Sequence, residues 1–349
     1  MNVLIVGAGL AGARCAETLR AEGFVGDVTV VGDEPVGPYE RPALSKELLA
    51  GTREEESLSL RSVSTWAERG IKLVTGTRIL GILPGAARAT GDRRFAWDAL
   101  VIAAGANARS LGLGRHRLRR LTDVARLRAD LDRTERLTVV GTGLVGTEVA
   151  ATARTLGIPV SLIGDPPLER IVGPEVAALL AVRHREHGVE LLPRGTRPTG
   201  VVLNAVGALP ATRWLRGAVP LRHDGSVIAD ACGRTPVPGI YACGDVTGTG
   251  HWTAAAGQGA AVAHAILGVE RPYEDIPYFW SDQLGLRLQH VGEAGSASSV
   301  ELDGGIDSLR ARYVDRDGRL VAALLVNRPH EVGELRREVA STPWDRVAA

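Results

Sequence analysis

Two stretches of this chain repeat one pattern, and that pattern leaves few folds open. Residues 3–6 form a short apolar run, GAGLAG follows with Gly7, Gly9 and Gly12, and ARCAETLRAEG then carries helical periodicity to Gly23 before the strand-like VTVV. Strand, GxGxxG, helix, strand is the βαβ unit that cradles a pyrophosphate. Gly7 permits the tight turn, Gly9 lets the phosphates approach the backbone, and Gly12 lets helix and strand pack closely. Leu10 and Ala11 open the helix, whose free N–H groups face the phosphates. Asp33 and Glu34 stand about 20 positions further on, where an acidic residue meets a ribose diol. The pattern returns in LTVVGTGLVGTEVAATARTLGIPVSLIGD, with Gly141, Gly143 and Gly146 in the loop and Leu144 and Val145 opening the helix.

Two such loops predict an α/β chain with two Rossmann-like domains and two dinucleotides, for which a flavin and a nicotinamide are the natural pair. The second strand of the second unit ends on Gly164 and Asp165. Asp165 suits a free 2′-hydroxyl, and no arginine immediately follows it to hold a 2′-phosphate, so NADH is expected over NADPH. Between the loops, FAWDALVIAAGANAR reads as a buried strand ending in small residues, among them Ala104 and Gly105. PVPGIYACGDVTG is another strand, ending on Gly244 and Asp245. A carboxylate there can accept from sugar-alcohol hydroxyls, although a turn or cap aspartate has the same local look.

Bulk properties narrow the partners. The chain has 349 residues, enough for two or three domains, with 45% hydrophobic and 23% charged residues. A net charge of +1 gives no support to nucleic acid or an anionic membrane as partner. No apolar run reaches the roughly 18 residues of a membrane span. Cys15, Cys232 and Cys243 form neither a C-x-x-C nor a C-x4-C pair, which argues against a dithiol centre or a metal site. An odd cysteine count, with an N-terminus lacking the basic flank of a secretory signal, fits a reducing cytoplasm.

With these segments in hand, the chain resembles the FAD-dependent pyridine-nucleotide reductases, and more closely the ferredoxin reductases that feed bacterial oxygenases and cytochromes P450. PYERPALSK at residues 38–46 is the most specific match. The resemblance implies that Arg41 contacts FAD and that Lys46 sits near flavin N5, paired with Glu148 of the second glycine loop. Read without it, Lys46 and Glu148 are equally well exposed helix-end charges. HWTAAAGQGAAVAHAILG matches a helix whose N-terminus, at Trp252 and Thr253, would face the flavin pyrimidine. In PYFWSDQLGLRLQHVG, Trp280 resembles the family aromatic beside the flavin at the electron exit; an ordinary core tryptophan is the other reading. The segment from Ser308 to Ala340, with its Asp-Arg-Asp-Gly hairpin, resembles the small C-terminal domain of these reductases.

The expected organisation is therefore a first FAD-binding part at 1–108, an NAD(P)-binding domain at 109–217, a second FAD-binding part at 218–275 and a C-terminal α+β reductase domain at 276–349. The second domain is short: GVELLPRGTRPTG runs almost directly into VVLNAVGALPATRWL, where the resemblance implies an intervening strand meander. Asn204 stands where the family usually has glycine, while Gly207 keeps the loop on the nicotinamide side. The segment at 105–123 is also short, and its arginines (Arg115, Arg117, Arg119, Arg120) suit a solvated linker better than a docking patch. The function this implies is transfer of electrons from NADH through FAD to a [2Fe–2S] ferredoxin. The shortened domain keeps open a biosynthetic flavoenzyme acting directly on a small molecule, and a non-catalytic FAD-binding module is the third class.

Overall fold

The computed structural model describes residues 1–215 and 217–341. Its contacts divide into two compact units, one formed by residues 1–40, 55–107 and 208–275, the other by 41–54, 108–207 and the chain from 276 onward. Two features differ from the expected boundaries. Residues 41–54 belong with the second unit, where the Ser45 carbonyl accepts from Thr152 Oγ1 at 2.8 Å. The C-terminal sheet shares a core with that unit's parallel-sheet half, because Leu168, Val172, Val176 and Leu180 pack with Leu286, Leu288, Leu309 and Leu324. Tyr313 adds a hydrogen bond to the Val172 carbonyl at 2.7 Å.

In the first unit, five parallel strands run in the order Ile240–Ala242, Ala99–Ile102, Asn2–Val6, Asp27–Val31, Ile71–Val74. Asn2–Val6 and Ala99–Ile102 are almost wholly apolar because both faces of the sheet are covered. Helices Leu10–Ala21 and Trp252–Ile266 lie on one face, packed so closely that a Cβ on Gly259 would come within 2.3 Å of the Ala11 carbonyl oxygen. An antiparallel meander of Ile79–Leu83, Ala86–Ala89 and Arg94–Ala96 contributes to the core on the other face.

The second unit holds another parallel sheet, in the order Val189–Leu192, Val160–Ile163, Leu137–Val140, Val201–Asn204, His116–Arg117. Here the chain passes from Val189–Leu192 to Val201–Asn204 through residues 193–200 alone, with no described strand between them, whereas the first unit inserts its meander at the corresponding crossover. The C-terminal sheet is antiparallel, in the order Tyr278–Gln283, Leu286–Gly292, Leu320–Val326, Leu309–Val314, Ser299–Asp303. Its first hairpin turns on Leu284 and Gly285, both at positive φ (51° and 76°), the geometry of a two-residue turn matched to strand twist. Helix Val332–Ser341 buries Leu335 and Val339 against this sheet.

Candidate dinucleotide and redox site

The two glycine loops are built alike. Gly7 has φ 123° and Gly141 has φ 112°; a Cβ on the first would meet the Ala103 carbonyl oxygen at 2.0 Å, and on the second the Ala205 carbonyl oxygen at 2.3 Å. Gly12 and Gly146 press on the first glycine of their own loops, where a Cβ would lie 2.1 and 2.0 Å from a carbonyl oxygen. The middle glycines are the exception. At Gly9 and Gly143 a Cβ would meet nothing within 4 Å, and both have extended backbones that any residue adopts. Open space at the middle glycine, ahead of helices that begin at Leu10 and Leu144, is the cradle a pyrophosphate fills. The residues present fit a dinucleotide at each loop.

The first unit brings the other flavin-side candidates to this loop. Gly244 sits at φ 78°, where a Cβ would crowd Ala11 Cβ at 2.8 Å, so the strand end carrying Asp245 adjoins the start of the first helix. Gln258 Oε1 accepts from the Gly244 amide at 2.8 Å and fixes that turn. Asp33 and Glu34 follow strand Asp27–Val31; Arg78 reaches Asp33 Oδ2 at 3.1 Å, and the Tyr39 hydroxyl donates to Glu34 Oε2 at 2.8 Å. Ala104 and Gly105 follow Ala99–Ile102, with Gly105 at φ 67°, and Trp252 and Thr253 are the first residues of Trp252–Ile266.

In the second unit Lys46 Nζ lies 3.2 Å from Glu148 Oε1. Their side chains are only 10% and 6% exposed, so neither is a surface helix-end charge. Ser281 donates to the same oxygen at 2.7 Å, and Ser45 donates to Oε2. Burial pushes the Glu148 carboxyl above the usual carboxylate range, while Lys46 and the two hydroxyls pull it back. Three donors from two segments far apart in sequence, Ser45–Lys46 and Ser281, thus converge on one buried carboxylate. Nothing local in the sequence marked Ser45 or Ser281 for this. Trp280 lies on the partly exposed face of Tyr278–Gln283, opposite the buried Ser281, and stacks with Tyr278 at 6.2 Å between ring centroids. Arg41 donates through Nη1 to the Arg119 carbonyl at 2.5 Å.

The nicotinamide-side candidates bring one correction. Asp165 has arginines after all. Arg194 binds both of its oxygens, and Arg170 Nε stands 3.7 Å away. The absence of a neighbouring arginine was true of the sequence and false of the fold, because Arg194 arrives from the turn after Val189–Leu192, the strand paired beside Asp165's own. Leu144, Val145 and Glu148 all belong to helix Leu144–Thr155, and Gly207, at φ 92°, has open space where a Cβ would be. Asn204 is buried: its Oδ1 accepts from the Leu111 amide at 3.2 Å and its Nδ2 donates to the His116 carbonyl at 3.3 Å. It therefore ties the shortened 105–123 segment to the sheet. Arg115 of that segment pairs with Asp130 of the helix that follows, Leu121–Leu131. Among the described residues no cluster could hold a metal ion, and no helix is long and apolar enough to cross a membrane.

The pyridine nucleotide-disulphide oxidoreductase family matches residues 1–196 and 193–259, and a reductase C-terminal domain matches residues 278–346. This chain belongs to the pyridine nucleotide-disulphide oxidoreductase family. The family match breaks and restarts within residues 193–196, where the second unit takes its short crossover. Similar curated proteins include the ferredoxin--NAD(+) reductase component of the p-cumate 2,3-dioxygenase system of Pseudomonas putida, 36% identical over 97% of this chain and 93% of that protein. The corresponding component of the anthranilate 1,2-dioxygenase system of Burkholderia cepacia is 34% identical over 97% and 94%. Among solved structures, the reductase of the covalent putidaredoxin reductase–putidaredoxin complex superposes with TM-score 0.89 at 30% identity, covering 97% of this chain and 92% of that one. As a member of this family the chain is an FAD-dependent oxidoreductase that uses NAD(P)H.

Proposed function

We propose that the protein is an NAD(P)H:ferredoxin reductase, taking two electrons from one nicotinamide and delivering them singly to two [2Fe–2S] ferredoxins that serve an oxygenase or cytochrome P450. The observation that carries this reading is the C-terminal sheet: one of its strands presents Trp280 on its partly exposed face and anchors the buried Lys46–Glu148 pair through Ser281 on the other. Its relatives named as ferredoxin reductase components align over almost their whole length, this sheet included.

The residues divide the work. Gly7, Gly9, Gly12, Asp33, Glu34, Arg41, Ala104, Gly105, Asp245, Trp252 and Thr253 are assigned to FAD. Gly141, Gly143, Gly146, Asp165 and Gly207 are assigned to NAD(P)H. Bound FAD supplies the acceptance of electrons as a pair and their release one at a time. Lys46 provides a fixed cation, and Glu148 makes burying that cation affordable by neutralising it. Trp280 provides an apolar, aromatic surface on the exit side. All three cysteines are free and buried, and none falls in a C-x-x-C or C-x4-C pair, which favours ferredoxin over disulfide as acceptor and fits a reducing cytoplasm.

Mixing the anaerobic yellow protein with NADH in a stopped-flow instrument tests the first half. The flavin absorbance should bleach within the mixing experiment, and Trp280→Ala should bleach as fast while passing electrons to a ferredoxin more slowly than to ferricyanide. A flavin untouched by either nicotinamide would refute the reading.

A further inference from the structure

The Lys46–Glu148 pair does not stand alone, and its surroundings have a direction. Ser281 is wholly buried, and its hydroxyl is 2.7 Å from Glu148 Oε1, the oxygen that Lys46 also approaches. Gln283, two residues on and so on the same strand face, points its Nε2 at Ser281 Oγ at 3.4 Å. An amide N–H₂ only donates, so Ser281 Oγ accepts from Gln283 and its single hydrogen is left for Glu148. Register fixes this arrangement. Ser281 pairs with Leu288 and Gln283 with Leu286 in the first hairpin of the C-terminal sheet, whose two-residue turn admits no slippage without reversing both faces. On the other carboxylate oxygen, Ser45 supplies a second hydroxyl.

We propose that Ser281 is a positioning residue for the reductase reaction: it holds Glu148 ionised and aimed at Lys46, so that the C-terminal sheet sets the charge state of the redox site. This rests on the reading of Lys46–Glu148 as the redox-site pair. Burial favours the neutral acid, and the counterweights are Lys46, Ser45 and Ser281. Among the described residues, Lys46 is the charged group whose field bears on Glu148; His184, also buried, lies beyond Gln283 and has its pKa lowered by its own burial, with Nδ1 at 2.8 Å from the Leu180 carbonyl. Removing one hydroxyl from so few donors should tip a buried carboxylate towards its acid form without disturbing packing, since Ser→Ala deletes a single atom.

The test is infrared difference spectroscopy of Ser281→Ala across pH, with the neutral-carboxyl band of Glu148 assigned by its loss in Glu148→Gln. Wild type should show that band only at acid pH. Ser281→Ala should raise its midpoint by about one pH unit, Ser45→Ala should move it in the same direction, and Ser281→Thr should restore it. The pH at which flavin reduction by NADH slows should rise in parallel. An unmoved midpoint in Ser281→Ala would overturn the proposal even if NADH bleaches the flavin normally. Conversely, a wild-type flavin that NADH cannot reduce would defeat the reductase reading while leaving the infrared result to stand or fall by itself.

Discussion

Glu148 is the residue whose environment departs furthest from its sequence neighbourhood. It sits in the first turns of an ordinary helix, yet its partners lie 102, 103 and 133 positions away in the chain. The Lys46 pairing was readable only through resemblance; the serines were not readable at all, since a buried Ser in a strand carries no pattern of its own. Removing the carboxylate strands a buried lysine, so Glu148→Ala should cost about 3 kcal/mol of unfolding free energy in urea titration. The pH dependence has a definite sign. A carboxyl raised by burial binds its proton more tightly in the fold than in the unfolded chain. Its contribution is therefore largest in acid and is lost as pH climbs from the ordinary carboxylate range through the raised value. Glu148→Gln should flatten that part of the stability profile, and an unchanged profile would mean the group titrates normally.

At the scale of elements, the two glycine loops were the most legible part of the chain, because each needs specific glycines in a strand–turn–helix setting. Their middle glycines offer a clean separation of function from folding. Gly9→Val and Gly143→Val place a side chain in open space, so both should keep the wild-type melting behaviour within about 1 kcal/mol. The first should lose FAD on desalting; the second should stay yellow but lose NADH-driven bleaching. A Gly143→Val protein that is reduced at wild-type rate would place the nicotinamide elsewhere. The neighbouring strand carried the misleading signal. Asp165 read as arginine-free because Arg194 comes from a different strand end, and parallel-strand register is invisible to local inspection. With Asp165 held by Arg194, discrimination against NADPH should be modest. Arg194→Ala, which frees the carboxylate to accept a ribose diol and to repel a 2′-phosphate, should raise the NADH:NADPH ratio of kcat/KM several-fold. A ratio that falls would show that Arg194 serves only NADH.

For the molecule as a whole, the sequence was informative about the class of each segment and less so about how segments group. Residues 41–54 lie far in sequence from the unit they pack with, and the C-terminal sheet shares a core with the short nucleotide-binding half beside it. Both outcomes depend on long-range packing. The missing meander proved local: the parallel sheet around it is complete, with five strands in register. Burial raises the Cys15 thiol and pushes Cys243 up to about 12, so neither should react with a thiol reagent in the native protein, and serine in place of any cysteine should leave electron transfer intact. Electron delivery to ferredoxin is measured most directly by NADH-dependent reduction of cytochrome c with and without a [2Fe–2S] ferredoxin from an oxygenase system. The rate should rise strongly with added ferredoxin and fall as salt screens their encounter. A flavin that NADH bleaches while several ferredoxins add nothing to cytochrome c reduction would contradict the account and point to direct reaction with a small molecule.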